Sequence, residues 1–317
     1  MSVAEFLQSP HPTAFSFEVL PPMRGRGIHQ LYTHIDKLME FGPSYINITT
    51  HRSEVVYRET PEGMYRRDYE RTRPGTVAVA AALKGRYGLP TVPHIICSGF
   101  TRSELENEFI DLSYLDITDI LVLRGDRAHG ENRFVPVADG HSHAVELCRQ
   151  VNDFNAGHMV SGQMAEPLEH PFSYGVAGYP EKHDEAPNID ADIAFLKAKV
   201  EAGAQYVVTQ MFFDNDCYFR FVQRLRAEGI TVPVVPGLKP LSSLTQLTVL
   251  PKVFHIDLPP TLADAVAHCR TNEEVKAVGI EWTAEQVRQL KAAGVPSIHF
   301  YSMNVADSIV EIAKKAF

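Results

Sequence analysis

The stretch SYGVAGYPEKHDEAPNIDADIAFLKAKVEAGAQYVVTQ, residues 173–210, contains one complete unit of the pattern that decides the fold. It begins with a short apolar run, Ser173–Ala177, which predicts a strand. After a polar turn, the apolar spacing in Ile189–Ala202 predicts a helix, which Gly203 is expected to end. Tyr206–Gln210 predicts the next strand. A strand, a helix and a second strand in this order are typical of a parallel β/α/β unit.

Predicted strands and helices alternate in the same way on both sides of this unit. The other predicted strands are Ala14–Leu20, Tyr45–Thr50, Thr91–Ile96, Asp119–Leu123, Val232–Pro236 and Ser297–Tyr301. The other predicted helices are His29–Phe41, Gly75–Tyr87, one that begins at Thr101, His143–Val151, Asn215–Ala227, Leu241–Leu250, Thr261–Arg270, Thr283–Ala293 and Val305–Phe317. The polar stretches His51–Arg73 and Asn152–Phe172 are interpreted as loops. About eight strand-then-helix units without an internal linker predict an α/β protein, a (β/α)8 TIM barrel, with a single domain over residues 1–317.

The composition is that of an ordinary globular protein of 317 residues, of which 44% are hydrophobic and 22% charged. A formal net charge of −9, without a block of consecutive basic residues, disfavours nucleic acid and anionic membrane as partners. The four cysteines are widely scattered and form no CxxC pair, which indicates reduced thiols in a cytoplasmic protein. No stretch approaches the roughly 18 apolar residues of a membrane span.

Polar residues recur where the predicted strands end, which is where barrel enzymes place their chemistry. Glu18 is the most informative of them, because it lies inside an otherwise apolar strand. A carboxyl group there must be paired, hydrogen-bonded or kept protonated by a raised pKa, and the last condition suits a general acid. The alternative is a structural ion pair with a neighbour such as Arg124.

Other strand ends have similar alternatives. In Arg124-Gly125-Asp126, the glycine between opposite charges can allow close approach to the backbone. The alternative is an ordinary turn at the end of the strand. Gln210 can read the edge of a heterocycle or simply cap its strand. His141, His143 and Cys148 lie close in sequence, but their spacing fits no zinc template, so no metal site is predicted.

Several motifs in the chain resemble those of one enzyme family, and they occur in that family's order. They are Phe15-Ser16-Phe17-Glu18 with Pro21-Pro22, Leu121–Asp126, Val176–His183, Ala202-Gly203-Ala204, Thr209–Asp214, Pro236-Gly237 and His299–Asn304. Together they make the chain similar to methylenetetrahydrofolate reductase in its short bacterial form, a catalytic barrel alone.

The resemblance implies a reaction and roles for three residues. The family reduces 5,10-methylenetetrahydrofolate to 5-methyltetrahydrofolate, which supplies methyl groups for methionine synthesis, by ping-pong hydride transfer from NAD(P)H through FAD. Glu18 would be the general acid that opens the imidazolidine ring. Asp126 would lie beside the flavin and orient the pterin, and Gln210 would hydrogen-bond the pterin and help to seat the nicotinamide.

The resemblance also implies binding residues. FAD contacts would come from Thr49, His94, Arg124, Gly125, Asp126, His143, Ala144, Tyr179, His183, Asp192 and Lys199. Substrate contacts would come from Glu18, Asp126, Gln210, Gln246, Leu250 and Tyr301. Lys199 and Asp192 are seven residues apart and would share a helix face, with a solvated surface lysine as the alternative for Lys199.

The chain departs from the family's pattern at several points. Leu250 stands where the family has a phenylalanine that packs on the folate, and the stretch Asn152–Phe172 is longer than in the best-known bacterial members. Val305 stands where an arginine commonly meets the folate tail, and His143 stands where an aromatic residue is frequent. Two alternatives to the flavin reductase stay open, namely direct hydride transfer from NAD(P)H without flavin, and a non-catalytic folate-binding subunit of a one-carbon complex. We also expect a homo-oligomer, whose number of subunits is left open.

Overall fold

The computed structural model describes residues 1–128, 131–303 and 305–317. Within these residues the chain forms eleven strands and eleven α-helices. The strands are β1 (Ala14–Val19), β2 (Tyr45–Ile48), β3 (Glu54–Glu59), β4 (Tyr65–Glu70), β5 (Thr91–Ile96), β6 (Asp119–Leu123), β7 (Ser173–Gly178), β8 (Tyr206–Thr209), β9 (Val234–Val235), β10 (Gly237–Leu238) and β11 (Ser297–Tyr301). The helices are α1 (Val3–Gln8), α2 (His29–Leu38), α3 (Thr76–Tyr87), α4 (Arg102–Tyr114), α5 (Ala144–Asn155), α6 (Ile189–Glu201), α7 (Asn215–Ala227), α8 (Gln246–Phe254), α9 (Pro260–Ala267), α10 (Asn272–Ala292) and α11 (Ala306–Ala316).

All strands except β3 and β4 pair in parallel, in the order β10-β11-β1-β2-β5-β6-β7-β8-β9. Helices alternate with these strands along the chain, as a (β/α)8 barrel requires. The predicted TIM-barrel class is therefore confirmed, and the predicted strands agree with the observed ones to within a few residues.

The seventh barrel strand is interrupted at Pro236, between β9 and β10. The first half, β9, pairs with β8, and the second half, β10, pairs with β11. Proline has no N–H to give to a neighbouring strand, but its carbonyl oxygen accepts a hydrogen bond from the His299 N–H at 2.9 Å. The sequence prediction ended this strand at Pro236, which was wrong, because the strand resumes at Gly237.

Alternating side chains divide the core into two layers. Outward-facing residues such as Phe17, Ile46 and Phe300 pack against the surrounding helices. Inward-facing residues such as Tyr45 and Tyr206 fill the barrel itself.

The bottom of the barrel is closed by α1, a helix that the sequence analysis missed. Ser2 and Glu5 form a capping box at its start, and Val3 and Leu7 pack on the inner barrel layer. The Val3 N–H donates to Asp119 Oδ1 at 2.8 Å, which ties the helix to the start of β6. A helix of six residues shows too little periodicity to be recognised from sequence alone.

The prediction that His51–Arg73 forms a loop was wrong, because β3 and β4 form an antiparallel hairpin there. Gly63 takes a positive φ of +76° in the connecting turn, and the Thr60 N–H donates to the Met64 carbonyl at 2.6 Å. The strands are exposed or half-buried along their length, so they lack the apolar alternation by which a strand is recognised.

Other element boundaries differ from the predicted ones for local reasons. The stretch predicted as a loop from Asn152 onward begins inside α5, which ends at Asn155. The long helix α10 begins eleven residues before the predicted Thr283, since Gly279 interrupts its helical pattern. A Cβ on Gly279 would lie 2.1 Å from the Leu241 carbonyl oxygen, so close packing explains the glycine. Among the described residues, no helix combines the length and apolarity needed to cross a membrane.

Replacing Gly175 by alanine is expected to lower the free energy of unfolding by roughly 1–3 kcal/mol, because the barrel interior is overpacked by the new methyl group. A Cβ at Gly175 would lie 2.3 Å from the ring of Tyr206, which is fully buried. Gly27→Ala is the matched control, since a Cβ there meets nothing within 4 Å. Urea titrations measure both free energies, and equal values would contradict tight packing of Gly175 against Tyr206.

Candidate active site

Glu18 lies at the carboxyl end of β1, with its side chain buried. In the β1–β11 register it is opposite Tyr301, and its Oε2 lies 4.0 Å from Nε2 of His94 on β5. Burial raises the pKa of Glu18 from 4.5 to about 8, while the nearby charge of Lys239 lowers it in part. The carboxyl group is therefore protonated at neutral pH.

The alternative of an ion pair between Glu18 and Arg124 was wrong. Arg124 instead pairs with Glu185, and its guanidinium carbon lies 4.7 Å from the centre of the Phe134 ring. Arg124 and Glu18 thus belong to different parts of the barrel mouth.

A chain of polar side chains leads from Glu18 down into the barrel. Asn47 Nδ2 lies 3.4 Å from His94 Nε2, and Ser16 Oγ lies 3.1 Å from His299 Nδ1. Burial lowers the pKa values of His94 and His299 to about 3, so both rings are neutral at pH 7. Nε2 of His299 and Oδ1 of Asn47 have no hydrogen-bond partner among the described residues.

A second cluster lies where β7 leads into α6. The rings of Tyr179 and His183 are 4.7 Å apart, and the His183 N–H donates to Asp192 Oδ2 at 3.1 Å. Lys199 Nζ donates to the Ala177 carbonyl at 2.7 Å. Burial lowers the pKa of Lys199 to about 8, partly offset by Asp192. The alternative of a solvated surface lysine was therefore wrong.

Gly125 allows the backbone between Arg124 and Asp126 to pack closely against Ser98. Gly125 has a φ of +79°, and a Cβ there would lie 2.9 Å from Cβ of Ser98. Ser98 Oγ donates to the Asp126 carbonyl at 2.6 Å and fixes this turn. The Asp126 side chain is exposed, and its charge influences both His51 and Tyr179, so it lies between the acid and the second cluster.

Gln210 follows β8 and lies in a shallow depression that is also lined by Tyr179, Glu181 and Lys182. Its Oε1 accepts the N–H of Met211 at 2.9 Å, so the predicted strand-capping alternative is observed. This bond uses the carbonyl end of the amide, whereas the amide nitrogen keeps its donors for other groups.

The remaining predicted substrate contacts are Leu250, Tyr301 and Gln246. Leu250 is buried with Met211 in a cluster that includes the ring of Tyr301. The Tyr301 hydroxyl donates to the Thr209 carbonyl, which holds the ring across the ends of β8 and β11. Gln246 Oε1 accepts the Ser242 N–H at 2.7 Å at the start of α8. Asn304, the last residue of the motif that begins at His299, lies outside the described residues.

Three more predicted cofactor contacts lie after β2 and at the start of α5. The Thr49 N–H donates to the carbonyl of Val19, the residue after Glu18, at 3.0 Å. Thr49 Oγ1 lies 3.3 Å from His51 Nε2, on the loop after β2. His143 and Ala144 form the start of α5, where Glu146 Oε2 accepts the His143 N–H at 3.3 Å. Within the described ranges, no hydrogen bond joins the side chains of Thr49 or His143 to Glu18.

The sequence analysis missed Lys239. It directly follows β10, is half-buried, and interacts electrostatically with Glu18. The alternation of the strand carries a signal for it, but the predicted strand ends at Pro236, two residues before the observed end at Leu238.

Comparison with known proteins agrees with this geometry. The family model of methylenetetrahydrofolate reductase matches residues 5–316. The chain belongs to the methylenetetrahydrofolate reductase family. The family resemblance derived from the sequence motifs is thereby confirmed.

Individual members of the methylenetetrahydrofolate reductase family match over most of this chain. The 5,10-methylenetetrahydrofolate reductase of Escherichia coli (strain K12) is 30% identical over 293 residues, which cover 92% of this chain and 86% of the relative. Methylenetetrahydrofolate reductase (NADH) 1 of Arabidopsis thaliana is 29% identical over 310 residues, which cover 95% of this chain and 48% of the relative. The chain thus spans about half the length of this plant relative and of the similar rice protein.

A solved structure shares the fold. It is a protein from Clostridium thermocellum that binds two copies of 5-methyl-5,6,7,8-tetrahydrofolic acid. It superposes with a TM-score of 0.59 at 13% identity and covers 98% of this chain and 97% of its own.

The burial of Glu18 predicts how stability depends on pH. Below pH 4.5 the carboxyl is protonated in the folded and the unfolded chain; between 4.5 and about 8 only the unfolded chain releases the proton. The wild type should therefore lose stability relative to Glu18→Gln as the pH rises through this range, by at most about 1.4 kcal/mol per pH unit. Above about pH 8, the pKa of Glu18 in the folded chain, the difference in free energy of unfolding between the two proteins should become constant.

Urea unfolding of the wild type and of Glu18→Gln at several pH values measures this difference. A difference that does not vary with pH would show that Glu18 has an ordinary pKa in the folded chain.

Proposed function

We propose that this protein reduces 5,10-methylenetetrahydrofolate to 5-methyltetrahydrofolate with NAD(P)H as the reductant and FAD as the bound cofactor. The observation that supports it most strongly is Glu18, a buried and protonated carboxyl group at the mouth of a barrel that belongs to this family. We infer further that residues 1–317 act as one catalytic domain.

Glu18 would supply the proton that the reaction needs. Opening the imidazolidine ring of the substrate requires a proton on a ring nitrogen, and a carboxyl group that stays protonated near neutral pH can give one. Because His94 and His299 are neutral at that pH, neither is a competing acid beside Glu18. Once the proton has been donated, Glu18 is a carboxylate. A negative charge is unfavourable at this buried position unless other groups stabilise it.

The residues around Gly125 fit a flavin nucleotide. Close packing of Gly125 against Ser98 fixes the turn after β6, beside which the flavin ring would lie. Arg124 and Lys199 place two cations at neighbouring strand ends, where a diphosphate needs them, and Asp192 beside them can accept from ribose hydroxyls. When bound, FAD accepts a hydride from the nicotinamide and delivers it to the folate carbon.

Gln210 and Asp126 would hold the pterin. The Gln210 amide nitrogen can donate to ring acceptors, since its oxygen is engaged by Met211. Asp126 is exposed and would accept a hydrogen bond from the amino group of the pterin. Leu250 and Tyr301 supply apolar walls, and Gln246 lies one helical turn before Leu250.

An absorption spectrum of the purified protein, before and after anaerobic addition of NADH, tests the cofactor. A yellow protein that bleaches with NADH and regains its colour with methylenetetrahydrofolate is expected. A colourless protein that still oxidises NADH with the folate would instead favour direct hydride transfer. A protein that binds the folate but oxidises no NADH would indicate a non-catalytic role.

Glu18→Gln should separate the two half-reactions. Reduction of the flavin by NADH is expected to proceed at nearly the wild-type rate, because no proton from Glu18 is needed there. Reoxidation by methylenetetrahydrofolate should fall by roughly 10²–10⁴-fold, the usual contribution of a positioned general acid. Stopped-flow absorbance follows each half-reaction, and equal losses in both would contradict the role of Glu18.

A further inference from the structure

The two halves of the seventh barrel strand bring Lys239 to the acid. Leu238 is opposite Phe300 in the β10–β11 register, so the next residue, Lys239, lies beside Tyr301. Tyr301 is in turn opposite Glu18 in the β1–β11 register. Lys239, Tyr301 and Glu18 therefore lie side by side on three neighbouring strand ends.

The alternation of side chains turns Lys239 toward the barrel mouth. The Leu238 side chain is fully buried in the outer core layer, against the helices. Successive side chains of a strand point to opposite faces, so Lys239 points inward, as Glu18 does. Gly237, the preceding inward position, would place a Cβ 2.5 Å from the Tyr301 ring, which leaves no room there for a side chain.

Among the described residues, the histidines and the tyrosine that surround Glu18 carry no charge near pH 7. His94 from β5 and His299 from β11 have pKa values lowered to about 3 by burial. Burial also lowers the pKa of His51, after β2, and raises that of Tyr301 well above its ordinary value. Among the described residues, Lys239 is thus the cation that acts on Glu18.

We propose that Lys239 is a positioning residue for this acid: its ammonium group stabilises the Glu18 carboxylate that remains after the proton has passed to the substrate. The direction of proton transfer rests on the proposed function, whereas the interaction between Lys239 and Glu18 does not. The proton leaves the Glu18 oxygen and is bound by a substrate nitrogen, and Lys239 keeps its own protons throughout. The acid is then buried enough to stay protonated before the reaction, and its conjugate base is paired after it.

A titration of Glu18 itself tests this without any measurement of activity. Infrared difference spectra between the wild type and Glu18→Gln isolate the stretch of the protonated carboxyl, which disappears as the pH rises. The same difference is recorded in Lys239→Met, Lys239→Gln and Lys239→Arg backgrounds, on the full-length protein with its bound cofactor. Lys314→Met is the matched control, because Lys314 is an exposed lysine of α11 that pairs with Glu311.

The midpoint of the Glu18 titration is expected to rise by roughly one to three pH units in Lys239→Met and Lys239→Gln, since an adjacent opposite charge lowers a carboxyl pKa by about that much. Lys239→Arg should keep the midpoint near the wild-type value, and Lys314→Met should not move it. An unchanged midpoint in both neutral variants would overturn the proposal, and so would an equal rise in the arginine variant. Circular dichroism identifies a variant that fails to fold. If one of the two neutral variants fails to fold, the midpoint measured in the other one tests the proposal.

Kinetics distinguish this proposal from its competitor, in which Lys239 binds a carboxylate of the substrate. The alkaline limit of the folate half-reaction should move up with the Glu18 midpoint in Lys239→Met, while flavin reduction by NADH stays unchanged. A higher KM for the folate with an unmoved midpoint would overturn the proposal in favour of substrate binding. A protein that reduces no folate but shows the infrared shift would refute the proposed function alone.

Discussion

Closure of the barrel through a broken strand is the constraint on which the rest of this structure depends. β9 hydrogen-bonds to β8 and β10 to β11, so Pro236 lies at the point where the sheet becomes a ring. A closed ring has no free edges, and it brings the carboxyl ends of strands that are distant in sequence to one mouth. Glu18 and Tyr301 are 283 positions apart in the chain yet paired in register.

Closure also produces the electrostatics of the mouth. Inside the ring, polar side chains lose water and cannot easily carry charge, so the histidines are neutral and the acid keeps its proton. The same desolvation strengthens the interaction of Glu18 with the ammonium group of Lys239, because the effective dielectric constant is low. A general acid needs this combination, since it must hold a proton before reaction and release it during reaction.

The mouth is divided between two kinds of site. On the side of β1, β5 and β11, Glu18 and the neutral histidines form a region suited to proton transfer. On the side of β6, β7 and α6, Arg124, Lys199 and Asp192 form a region suited to a nucleotide. The turn at Gly125 and the exposed side chain of Asp126 lie between the two regions. A flavin ring placed there would meet a substrate held above the acid, which is the arrangement that the proposed reaction requires.

The sequence by itself determined the class of the fold and most of the strand-end residues. Apolar strands followed by amphipathic helices are local patterns, as is the capping box at Thr101 and Glu104, which the structure contains. A charged residue inside an apolar strand singled out Glu18 in the same way. The hairpin β3–β4 and the helix α1 escaped prediction, because one has no buried face and the other is too short to show a period.

Only the tertiary structure decided which of these residues meet. It paired Arg124 with Glu185 and not with Glu18, turned Lys199 from the surface toward the Ala177 carbonyl, and placed Lys239 beside the acid. A sequence pattern gives the direction of a side chain within its own strand, but the neighbour of that side chain depends on strand order and register. The pKa of a buried group likewise depends on how much water and charge the closed barrel leaves around it, which no local pattern contains.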